Sequence, residues 1–134
     1  MTQFPCPPPP KPPHASKHCR NYSYELGLRG RGPLCAAGVD LSGPGAARPC
    51  MPSPAGDPCP QRSEFTDAER AAWRAAVDRR LERMAVALSS IPSIGAVGHV
   101  RCAACGEGEI RWSRAPNGHL HASCSTPDCF SVMQ

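Results

Sequence analysis

The sequence predicts a small α+β fold that depends on bound metal more than on a large apolar core. The expected parts are a loop-rich cysteine region, one long amphipathic helix and a C-terminal zinc ribbon, a β-hairpin with two cysteine knuckles. Three observations predict this. Only 27 of the 134 residues are Val, Leu, Ile, Met, Phe, Trp or Tyr, set against 17 Pro and 12 Gly, while nine are Cys. One stretch, 66–90, has clear helical spacing. Four of the cysteines form two close pairs near the C-terminus. Chains this poor in core residues need metals, disulfides or oligomerisation to fold.

The cysteine pattern selects among those staples. The opening MTQFPCPPPPKPPH has no apolar segment of the kind that directs export, and no run of roughly 20 apolar residues is present. The expectation is therefore a cytoplasmic protein with no membrane association. In a reducing compartment, closely spaced cysteines are metal ligands in preference to disulfides. An odd number of cysteines also cannot pair off completely.

Residues 1–18 are Pro-rich, with Pro7 to Pro10 unbroken, and read as a disordered or polyproline II tail. Residues 19–62 form a loop-rich region containing Cys19, Cys35, Cys50 and Cys59, separated by 15, 14 and 8 residues. These spacings match no compact knuckle. A stretch without a core collapses only when cross-linked, so the four are candidate ligands of a second zinc. His14 or His18 could replace a cysteine there. Cys6 is the odd one out.

Residues 63–91 hold the helix. Thr66 and Glu69 fit a capping box, T-x-x-E, which satisfies the first free N–H groups. Trp73, Val77, Leu81, Met84 and Leu88 then follow at steps of 4, 4, 3 and 4, on one face. Such a stripe packs on the ribbon or on a partner, for instance in a homodimer. Arg70, Arg74, Arg79, Arg80 and Arg83 lie off it, as a solvated face or a phosphate-contacting one. Pro92 ends the helix, and 91–98 reads as a linker.

The chemistry is concentrated in 99–134. Cys102-x-x-Cys105-Gly106 has the form of a metal knuckle, in which both sulfurs turn toward one ion and the glycine permits the bend. Cys124 and Cys129 form the second pair. Between the pairs, Ile110, Trp112 and Arg114 alternate with Glu109, Arg111 and Ser113. Asn117-Gly118 signals a two-residue turn, and Leu120, Ala122 and Cys124 alternate with His119, His121 and Ser123. The expected metal ligands are Cys102, Cys105, Cys124 and Cys129, around one zinc. His119 and His121 fall on the strand face opposite Cys124. Trp112 reads as the ribbon's core residue, with a stacking platform for a base as the alternative.

The formal charge of +4 invites a nucleic-acid partner. A zinc held by four thiolates is however a −2 unit, so each loaded site lowers that figure by two. The basic excess lies in residues 1–62, with seven Lys/Arg against three Asp/Glu; residues 94–134 balance three against three.

The chain resembles small zinc-ribbon proteins encoded by tailed phages and prophages of high-GC bacteria. The resemblance rests on KHCRNYSYELG, CAAGVDL, Pro49-Cys50, FTDAERAAW and SRAPNGHLHASCSTPDCFSVMQ, and implies no activity. The C-terminal segment is similar to phage late-gene transcription activators of the Ogr/Delta type: Cys102, Cys105, Cys124 and Cys129 match their cysteine pattern, and Ser113-Arg114 resembles their Arg-Ser element, with a shorter spacer. It is also similar, around Gly118 and CSTPDC, to the four-cysteine ribbons of type IA topoisomerases, which bind single-stranded DNA.

Two functions follow as expectations. The first is a DNA-binding or transcription-regulating module, with nucleic acid or RNA polymerase as partner and Arg101, Arg111, Trp112, Arg114 and His119 as contacts. The second is a protein–protein adapter with purely structural zinc. No nucleophile–base or carboxylate pair stands out, and four cysteines leave a zinc no open position, so no enzyme activity is expected.

Overall fold

The computed structural model describes residues 4–134. Among them are one α-helix and two antiparallel sheets, an α+β arrangement. The chain divides into two compact units, residues 13–74 and a unit formed by the N-terminal segment up to Pro12 together with 75–134.

In the first unit, β1 (Tyr22–Glu25) and β2 (Gly32–Cys35) form a hairpin with Tyr22 opposite Cys35. A short 3-10 turn, Arg48–Cys50, follows. The buried core is very small: Cys19, Leu41 and Cys50, with Tyr22, Cys35, Ala47 and Met51 packed alongside. Helix α1 (Asp67–Ser89) starts in this unit. Its capping box forms as the sequence expects: Thr66 Oγ1 accepts from the Glu69 amide at 3.1 Å, and Glu69 Oε2 accepts from the Thr66 amide at 3.1 Å.

In the second unit, β3 (Val97–Arg101), β4 (Glu109–Arg114), β5 (Leu120–Cys124) and β6 (Ser131–Met133) form a meander in sequence order. The sheet is wider than a hairpin. Most of the expected linker's last residues join it, because Val97 and Gly98 pair with Ser113 and Trp112. Glycine is required at 98: a Cβ there would lie 2.8 Å from the Trp112 ring. The β4–β5 turn also differs from the expected two-residue Asn117-Gly118 form. The Gly118 amide donates to Ala115 O at 2.8 Å, and Gly118 follows at φ 87°. Pro116 fixes the φ suited to the first central position, so Pro116-Asn117 becomes the turn centre and Gly118 takes the left-handed residue.

One sheet face is buried. Ile110, Trp112, Leu120 and Ala122 pack with Phe130, Ala87 and Phe4. Phe4 corrects the expectation of a disordered tail over 1–18, of which residues 1–3 lie outside the described residues. The Phe4 ring is 8% exposed, because a core short of apolar area gains most from an aromatic ring. The polyproline run behind it is already extended and loses little freedom on docking.

The helix face differs as well. Its buried positions are Arg83 and Ala87, with Met84, Val86 and Leu88 beside them. Of the five stripe residues only Leu81 is exposed, at 57%. Trp73, in the first unit, meets the His14 ring edge-on at 4.3 Å. The small Ala87 side chain lets the helix backbone approach the core, which decides the inward face more than the longer residues do.

Candidate metal centre

Two loops at one end of the second unit bring four sulfurs together. The first lies between β3 and β4. Its Gly106 amide donates to Cys102 O at 2.8 Å, and Gly106 takes φ 72°, the bend expected for it. The second lies between β5 and β6, closed by Cys129 N–H to Thr126 O at 3.2 Å, with Asp128 at φ 59°. The sheet registers the loops: Ile110 pairs with Cys124, and the Ser125 amide donates to Glu109 O at 2.9 Å.

The Sγ atoms of Cys102, Cys105, Cys124 and Cys129 all lie within 4.8 Å of one another, a set that can hold a metal ion. Cys102 and Cys129 are 3.8 Å apart, and Cys105 and Cys124 3.7 Å. A tetrahedron with metal–sulfur bonds of about 2.3 Å has edges of about 3.8 Å. The sulfurs therefore already stand at the separations of a tetrathiolate centre, far beyond a disulfide bond of about 2.05 Å.

Two sulfurs accept backbone N–H groups, and at Cys105 the surroundings favour thiolate. Gly108 N–H points at Cys105 Sγ at 3.2 Å, and Thr126 N–H at Cys124 Sγ at 3.4 Å. At Cys105 burial opposes ionisation, but hydrogen bonds from Thr126 and from the Gly108 and Glu107 amides outweigh it and bring the thiol down to about 6. Burial pushes Cys102 and Cys129 up. A bound cation reverses that effect, because its charge compensates the thiolates directly.

The residue that sequence reasoning misses here is Arg83. It is 5% exposed, and its guanidinium donates to Cys129 Sγ at 3.2 Å. It also donates to Pro5 O and sits 5.3 Å from the centre of the Phe4 ring. Among the described residues no carboxylate pairs with it. A buried guanidinium without a carboxylate is costly, and beside the Pro5 carbonyl its partner here is the sulfur cluster, which would become anionic if four thiolates met one divalent ion. The only hint in sequence is the Arg83–Ala87 spacing of one helical turn, which the longer apolar stripe obscures. Cys6 is also drawn in, its thiol 3.9 Å from Thr126 Oγ1.

The expected contact residues separate. Arg101 and Arg111 lie on the outward sheet face; Arg101 donates to Gly106 O at 2.9 Å, and Arg111 approaches Glu109 at 3.9 Å. His119 is exposed beside the turn. Trp112 is 6% exposed and belongs to the core, which corrects its place among the contacts. Among the described residues its indole N–H has no partner. Arg114 is drawn inward as well, its guanidinium 5.2 Å from the Trp112 ring centre and bonded to the Pro92 and Gly95 carbonyls at 3.0 Å each. His99, not anticipated, faces outward within 3.2 Å of Glu109.

In the first unit, Cys19, Cys35, Cys50 and Cys59 line one small cavity of about 60 Å³. Their sulfurs are less tightly drawn: among the described residues, only the C-terminal set brings its ligand atoms within 4.8 Å of one another. His14 and His18 are engaged elsewhere. His14 packs on Trp73, while His18 stacks on Tyr22 and shares a hydrogen bond with Ser16. No helix among the described residues is long and apolar enough to cross a membrane.

Comparison of the chain with protein-family models, with curated proteins and with solved structures gives no match.

Proposed function

We propose that this is a zinc-ribbon protein of phage type in which zinc is structural and the surrounding surface binds nucleic acid through its phosphates. Zinc suits the site because four thiolates in a closed tetrahedron are its common structural ligand set, and because no ligand position is left open for catalysis. Cys102, Cys105, Cys124 and Cys129 hold it, and Arg83 offsets part of the resulting negative charge.

The observation that carries the nucleic-acid reading is a groove of about 500 Å³ between the proline run and α1. Lys11, Arg79 and Arg80 line it against one acid, Asp128. None of the three makes an ion pair among the described residues. Its other walls are largely proline and Phe4, and low-dielectric walls strengthen the attraction for an anion. Arg101, Arg111 and His119 provide further contacts on the sheet.

The test is fluorescence anisotropy of a labelled single-stranded oligonucleotide with the zinc-loaded full chain, over a range of salt. Log affinity is expected to fall linearly with log salt. Replacing Arg79 and Arg80 by Gln should flatten the slope by about 1.4, since each phosphate contact on single strands contributes about 0.7. Absence of binding at low salt sinks this reading.

One observation favours the adapter reading instead. Val97 and Met133, at opposite edges of one cross-strand row, are 76% and 79% exposed. Under that reading the chain ignores the oligonucleotide, and a protein partner is lost when Val97 and Met133 become Ser.

A further inference from the structure

We propose that the first unit is itself a metal domain, in which Cys19, Cys35, Cys50 and Cys59 bind a second zinc-class divalent ion as a tetrathiolate. This does not depend on the nucleic-acid reading.

The argument starts from what the unit lacks. It spans 62 residues (13–74), yet its buried apolar cluster is Cys19, Leu41 and Cys50. A core of that size cannot offset the conformational entropy of ordering so many loop residues, at roughly 1–2 kcal/mol of backbone entropy each. Something else has to close it, and the cluster is mostly cysteine. None of the cysteines is in a disulfide.

The topology delivers the thiols to one place from four chain positions. Cys19 precedes β1, and Cys35 ends β2 opposite Tyr22, so both sit at the open end of the hairpin. Cys50 ends the 3-10 turn and is tied to Cys19 by a Cys19 N–H to Cys50 O bond of 2.9 Å. Cys59 enters from the following loop, where the Arg62 amide donates to its carbonyl at 3.0 Å. All four line the same cavity, which has room for one ion. Ser63 N–H points at Cys19 Sγ at 3.4 Å, much as Gly108 N–H points at Cys105 in the other unit. Coordination of one ion by all four would require their side chains to turn about the Cα–Cβ bonds toward the cavity they share. On binding, four S–H protons leave to solvent as four metal–sulfur bonds form.

The experiment uses the full chain, zinc-saturated and then freed of excess metal. Elemental analysis should give two zincs per chain. Brief alkylation with a maleimide, mapped by mass spectrometry, should leave Cys35 and Cys59 unmodified until a strong chelator is added. Those two are the informative positions, because each is only half-buried and burial alone does not shield it. Cys59→Ser should drop the content from two to one, and Cys59→His should restore two. One zinc per chain in the unmodified protein overturns the proposal, and so does rapid alkylation of Cys35 and Cys59 in the zinc-saturated state. Loss of C-terminal zinc alone would show as alkylation of Cys102, Cys105, Cys124 and Cys129, and is distinguishable.

Discussion

Arg83 shows how one side chain can report on a site. Among the described residues its buried guanidinium has no carboxylate partner, and the atom beside it is Cys129 Sγ, which would carry negative charge once a metal is bound. Replacing Arg83 by Leu keeps much of the volume and removes the charge. Metal affinity, read by competition with a chelator, is expected to fall 10- to 100-fold, as for other residues that support metal ligands. A second residue-scale prediction concerns Glu25. Arg31 grips it with two side-chain bonds, 2.9 and 2.7 Å, and a backbone bond, which together hold its carboxyl down from 4.5 to about 2. The folded state therefore favours the ionised form. That contribution is complete above the ordinary carboxylate range and is lost as pH falls through about 2. A carboxyl NMR titration should give a midpoint near 2, and Arg31→Ala should return it toward 4.5.

Elements here are fixed by small residues as much as by apolar ones. A methyl group added at Gly108 would lie 2.5 Å from Cys124 Sγ and 2.6 Å from Thr126 Oγ1. Gly108→Ala should therefore displace a ligand and lower metal affinity by on the order of 10-fold in the same chelator competition. Gly98→Ala drives into the Trp112 ring instead. It should leave the metal stoichiometry unchanged while costing about 1–3 kcal/mol in chemical denaturation, as overpacking does. The helix start is simpler: Thr66→Ala removes one half of the capping box and should cost about 1 kcal/mol, seen as faster hydrogen exchange at residues 67–70.

For the molecule as a whole, metal binding and folding are expected to be linked, because the four-cysteine loops bear on the same core that holds Ile110, Trp112 and Phe130. Metal binding free energy in such small units is folding free energy, roughly 10–16 kcal/mol for structural zinc. Chelation should abolish the near-UV dichroism of Trp112, measured in a Trp73→Phe background so that one indole remains. Survival of that signal without metal would mean that the sheet stands on its own apolar contacts. Charge follows the same accounting. One loaded tetrathiolate lowers the formal +4 to about +2, and a second to about 0.

The sequence alone determined the features that depend on short-range geometry. The two cysteine pairs, the Gly106 bend, the Thr66–Glu69 capping box and the alternation of Ile110 and Trp112 each need only a few neighbouring residues to be legible. Only tertiary structure decided the rest, because it depends on contacts between residues far apart in the chain. Arg83 and Cys129 are 46 positions apart. Phe4 leaves the expected tail because a sheet over 100 residues away lacks apolar cover. Val97 and Gly98 become strand because β4 offers them a ladder and Trp112 needs a neighbour without a side chain. The helix turns Ala87 inward because close approach to a small core favours a methyl group over a longer side chain.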